Sequence, residues 1–119
     1  MRYLLIHKLD ENDPQSWNPS PEFIERMNSF IGEVASSGVL LAGEGVTRSK
    51  DGAIIRKSNG TLTVTDGPFA EAREVIGGFA LIKVDSKDEA LELGRRFADL
   101  FPEVTVEVRR VAEEADLPS

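Results

Sequence analysis

Residues 76–108 read IGGFALIKVDSKDEALELGRRFADLFPEVTVEV, and this stretch decides the fold. Ile76 to Val84 is a run of apolar and β-branched residues opened by Gly77-Gly78, which reads as a strand. Ser86-Lys87-Asp88-Glu89 is a capping box, with Glu89 at the third helical position able to reach back to the cap. Ala90, Leu91, Gly94, Phe97, Ala98 and Phe101 then line one helical face, and Pro102 ends the helix. Val104, Val106 and Val108 alternate with Thr105, Glu107 and Arg109, the period-two signature of a strand. Strand, amphipathic helix and strand make one βαβ unit.

The first half of the chain repeats that order. Tyr3 to Leu9 is a short strand ending in Asp10-Glu11-Asn12-Asp13-Pro14, and its consecutive Leu4, Leu5 and Ile6 call for cover on both faces. After a loop through Trp17, Ser20 can cap free amides, Pro21 suits the first helical position and Glu22 faces the positive end of the helix dipole. Phe23, Ile24, Met27, Phe30, Ile31, Val34 and Ala35 recur at helical spacing, and Gly38 ends the helix. Val39 to Val46 is a second strand. Ala53–Lys57 and Thr61–Val64 read as a hairpin across Ser58-Asn59-Gly60, because Asn-Gly supplies positive φ. The fold class is therefore α+β, a ferredoxin-like βαββαβ with an inserted β-hairpin and both helices on one face of the sheet. The first strand and Phe79 to Ile82 are apolar on both sides, so the other face also needs cover. Either a second copy packs sheet to sheet as a homodimer, or the inserted hairpin folds over the sheet.

The 119 residues fit one domain, 1–119, with a polar and flexible tail from Glu113 to Ser119. With 40% hydrophobic and 29% charged residues, the chain is globular rather than disordered. The absence of cysteine removes disulfide scaffolds, thiolate metal sites and cysteine nucleophiles, and suits a reducing cytoplasm. A net charge of −7, with Arg95-Arg96 and Arg109-Arg110 as isolated basic pairs, argues against nucleic acid and anionic membrane as partners. The apolar run at Tyr3–Ile6 is too short for a signal peptide or membrane span. One histidine and no cysteine leave no nitrogen or sulfur metal site, and no cofactor is called for. Asp10-Glu11-Asn12-Asp13 lacks calcium-loop spacing and reads as a solvated turn.

The sharpest local feature is Asp66-Gly67-Pro68-Phe69-Ala70-Glu71, with Ile76-Gly77-Gly78-Phe79 downstream. Read physically, Asp66 bonds backbone amides in a turn, Gly67 supplies an unusual φ, Pro68 stiffens the turn and Phe69 anchors it. Gly77-Gly78 lets another backbone or a ligand approach closely. These residues, with Met1–Ile6, Gly43-Glu44-Gly45 and Val106–Arg109, resemble the DGPF branch of the YCII-related proteins over Met1 to about Val111. The resemblance implies a bacterial protein that forms a dimeric α/β barrel. Relatives of the YCII type are proposed to pair an aspartate with a histidine in or near the first helix; here that helix has no histidine, so the pair does not transfer. The segment Asp99–Glu103 also lacks the glycine-containing lead-in of the family.

His7 is the single histidine and is suited to proton transfer near neutral pH. It shares a strand face with Tyr3 and Leu5, and the expectation is that it looks into the dimer-side cavity with Glu107 or Arg109; the alternative is a strand-end histidine in water or in the interface. Two function classes follow. In the first, a small polar or aromatic acid undergoes cofactor-independent isomerisation or elimination in a cavity of the dimer. His7 is then general base, Asp66 its orienting or acid partner, Arg73 or Arg109 the anchor for the anion, and Tyr3 and Phe69 further contacts. In the second, the chain is a ligand-binding or regulatory module without turnover, which the resemblance connects with sigma-type transcription factors. Trp17, in its Pro-flanked loop, is a lid or a hydrophobic plug.

Overall fold

The computed structural model describes residues 1–69 and 71–118. Six strands and two α-helices follow one another as β1 (Arg2–Leu9), α1 (Pro21–Ser36), β2 (Leu40–Gly45), β3 (Ala53–Ser58), β4 (Thr61–Asp66), β5 (Val75–Lys83), α2 (Lys87–Ala98) and β6 (Thr105–Arg110). Short 3₁₀ turns occupy Pro14–Trp17, Ser49–Asp51 and Glu114–Asp116. Local chemistry sets most boundaries. Ser20 Oγ accepts from the Phe23 amide at 3.1 Å and Ser86 Oγ from the Glu89 amide at 3.2 Å, so both helices begin at the anticipated caps. The Glu89 carboxylate reaches one residue further back than anticipated, to the Asp85 amide at 2.9 Å. Gly38 (φ 79°) closes α1, and Asn59 (φ 51°) and Gly60 (φ 79°) make the hairpin turn.

The main sheet runs β2-β5-β1-β6, every neighbour antiparallel, with β3 and β4 as a separate two-stranded sheet. This is the strand order of a ferredoxin-like fold once the hairpin is set aside. On one face Tyr3, Leu5, Ile82, Val84 and Ala90 form the buried core, with Leu93, Val106 and Val108 packed on it. Cross-strand partners share a face, so register fixes which side each residue occupies. Tyr3 pairs with Ile82, Leu5 with Ala80 and His7 with Gly78, all toward the helices; Leu4 pairs with Leu81 and Ile6 with Phe79, all toward the open side.

Two expectations change here. His7 lies on the helix-covered face, because its strand alternation is locked to Tyr3 and Leu5 in the core; it does not look toward the open face. Glu107 pairs with Ile6 and Arg109 with Leu4, so both lie on the opposite side of the sheet from His7. Nor does the hairpin cover the open face. The molecule is only 18 Å thick along its shortest axis, which accommodates a sheet layer and a helix layer about 10 Å apart and no third layer. The polar tail is tied down as far as Asp116: Arg2 holds Glu113 at 3.0 Å, and Arg110 holds both Asp116 carboxylate oxygens at 2.8 and 2.9 Å. The bidentate guanidinium pushes the Asp116 carboxyl down to about 2.

Candidate functional site

Between α1 and the helix-side face of the sheet lies an open cleft of about 750 Å³. It exists because α1 rests on the sheet mainly through Val34 and leaves Phe23, Met27 and Phe30 facing a gap over β1 and β5. Phe97 and Phe101 close the α2 side, and Trp17 stands at the mouth. The Trp17 indole N–H donates to the Glu11 carbonyl at 2.9 Å, and the Arg48 guanidinium stacks over its ring at 5.3 Å.

His7 is on the floor. Its imidazole sits 5.5 Å from the Phe97 ring and 5.3 Å from the Phe101 ring, centroid to centroid. Beneath it the backbone has been cleared: a Cβ at Gly77 would fall 2.5 Å from His7 Nε2, and one at Gly78 would fall 2.7 Å from His7 Cε1. The register shifts between His7 and Lys8, where Gly78 pairs with His7 and Ile76 with Lys8, leaving Gly77 as the extra residue of a bulge. What the paired glycines admit is therefore the His7 side chain, together with the β2 backbone, whose Glu44 carbonyl lies 2.6 Å from the Gly78 Cβ position.

Burial among apolar groups holds the His7 pKa below its ordinary value and keeps the imidazole neutral at neutral pH. No carboxylate contributes to that shift. Its ring nitrogens make no hydrogen bond among the described residues, and no fully buried side-chain nitrogen or oxygen there lacks a partner, so both nitrogens reach the cleft. Among the described residues, the acidic ones that line the cleft are Asp13, Glu44 and Glu103, and no lysine or arginine does.

Of the residues assigned a catalytic or substrate-contacting role from the sequence, His7 lines this cleft, and Trp17, read as a lid or plug, stands at its mouth. Tyr3 is buried in the core on the same face. Asp66 is exposed at the root of the hairpin opposite Ala53, with no side-chain hydrogen bond among the described residues, so it is not brought to His7. Arg73 is exposed beyond the turn, and Arg109 donates to Glu107 at 3.0 Å on the far face. Phe69 is half-buried and belongs to a separate knot. There Ser49 Oγ accepts from the Phe69 amide at 2.8 Å and donates to the Glu11 carboxylate, whose Oε1 also accepts from the Ser49 amide at 2.8 Å. Gly67 lies so close over this knot that a Cβ would overlap the Ser49 carbonyl. The turn after β4 is thus fastened to the loop after β1.

The cleft walls escaped the sequence reading. Phe23, Phe97 and Phe101 carry helical spacing that core and cavity share, and nothing local distinguishes them.

The YCII-related domain matches residues 1–114. The chain belongs to the YCII-related family. An uncharacterised protein of Rhizobium meliloti (strain 1021) is 33% identical to it over an alignment of 126 residues that covers both chains in full. In this YCII-related domain, no helix among the described residues is long and apolar enough to cross a membrane. No group of three or more His, Asp or Glu side chains among those residues is arranged to hold a metal ion.

Proposed function

We propose that this YCII-related protein, of the DGPF branch and of a bacterial cytoplasm, takes a small molecule into the cleft over His7 and works as a homodimer. His7 serves there as proton acceptor in cofactor-independent chemistry of the isomerase or lyase kind. The observation that carries the reading is a neutral imidazole, free of hydrogen bonds within the described residues, at the floor of an aromatic-walled cleft. A neutral imidazole is the form that accepts a proton, and water is partly excluded around it.

The walls favour an aromatic body stacked against Phe97 and Phe101. For a small aromatic acid the wall offers no cation, and the guanidinium at hand is that of Arg48, outside the lining on Trp17. A ligand-binding module without turnover is the second reading. It draws support from His7 having no carboxylate partner among the described residues.

Proton NMR of the single histidine tests the site directly. The His7 Cε1–H titration is expected below pH 6.5, to stay put in Asp66→Asn, and to shift when benzyl alcohol is added. A titration at or above 6.5, untouched by that probe, would remove His7 from any enclosed site.

A further inference from the structure

The β3–β4 hairpin is amphipathic. Cross-strand register puts Ile55 opposite Val64 and Lys57 opposite Leu62, so these side chains share one face, while Arg56 and Thr63 share the other. On the apolar face Ile55 is 69% exposed and Leu62 and Val64 are each 65% exposed. A lone two-stranded hairpin is marginal in water, and this one turns its apolar side to solvent.

The surface of the whole chain shows the same deficit. It exposes 8545 Å², against roughly 6,400 Å² for a compact monomer of this size. The excess of roughly 2,100 Å² is what one protomer of a permanent homodimer buries. The open sheet face offers Phe79, 37% exposed, beside the half-buried Leu4, Ile6 and Leu81, and the hairpin offers its Ile55, Leu62 and Val64. The hairpin face also carries Asp66 at its root and Lys57 near its tip. Two copies related by a two-fold axis can lay these faces antiparallel, with Lys57 over Asp66 of the partner subunit, a self-complementary pattern.

We infer that the hairpin is an exchanged arm whose Ile55–Leu62–Val64 face packs on a second copy of this chain. The inference rests on the homodimer reading above and adds the arm to its interface.

Sedimentation equilibrium of the full chain and three variants decides it, with far-UV circular dichroism confirming that each folds. Val64→Asp is expected to raise the dimer dissociation constant by about 30-fold or more. Thr63→Asp, on the other face of the same strand, should leave it within about threefold. If Val64→Asp and Thr63→Asp both dimerise like the parent chain while Phe79→Asp dissociates, the arm is overturned and the homodimer stands. Equal weakening by Val64→Asp and Thr63→Asp would also overturn the arm, because the effect would then be one of added charge. A parent chain that stays monomeric at 100 μM, about a hundredfold above a micromolar dissociation constant, overturns both. Ile55→Lys repeats the apolar-face test should Val64→Asp fail to fold.

Discussion

A methyl group added at position 77 meets the far end of the His7 side chain, whereas one at position 78 also meets the Glu44 carbonyl. The imidazole can swing into the cleft; the β2 backbone cannot. Gly77→Ala is therefore expected to cost about 1 kcal/mol and to return the His7 titration toward pH 6.5, while Gly78→Ala costs about 2–3 kcal/mol, both read by urea unfolding. His7→Ala should absorb part of the Gly77→Ala penalty in a double-mutant cycle. The lowered His7 pKa has its own consequence. Below about pH 6.5 the unfolded chain takes up a proton that the folded chain refuses until a lower pH, so stability falls as pH drops through that window. His7→Gln should flatten this slope between pH 7.5 and 5.5, where no other histidine titrates.

At the scale of elements, the Glu11–Ser49 knot is what positions the turn after β4. Ser49 is the buried polar residue of the described chain, and Ser49→Ala leaves the Phe69 amide without its acceptor. The expected cost is about 1–3 kcal/mol in chemical denaturation, with an added loss of order in the hairpin by hydrogen exchange. The contrast with the helix caps explains what could be read in advance. Ser20, Ser86 and Asn59-Gly60 act on amides within a few positions, so their spacing carries the information. Glu11 and Ser49 are separated by 38 positions, and an acidic run looks solvated until its partner is placed. The same limit governs the site. His7 could be singled out as the lone histidine at a strand end, but its face depends on which side of the sheet the helices cover. The cleft depends on how far α1 stands from β1.

For the whole molecule, the radius of gyration is 16.4 Å against about 13.5 Å for a compact chain of this length, in keeping with a slab of 49 × 45 × 18 Å. If assembly supplies the missing burial, the melting temperature should rise with protein concentration, by several degrees between 1 and 100 μM in scanning calorimetry. A concentration-independent value would mean that each chain is stable alone. The hairpin also has a bearing on handling and on life inside a cell. Thr61-Leu62-Thr63-Val64-Thr65 is uncharged, free of proline and rich in β-branched residues. Its neighbouring strand at least carries Arg56-Lys57 as gatekeepers. On the proposed homodimer, a newly made chain that has not yet met its twin holds out an adhesive ribbon to every other strand edge in its surroundings. Pairing then competes with fibrous association, which is the steeper function of chain concentration, so overexpression is the condition most hazardous to the unpaired chain.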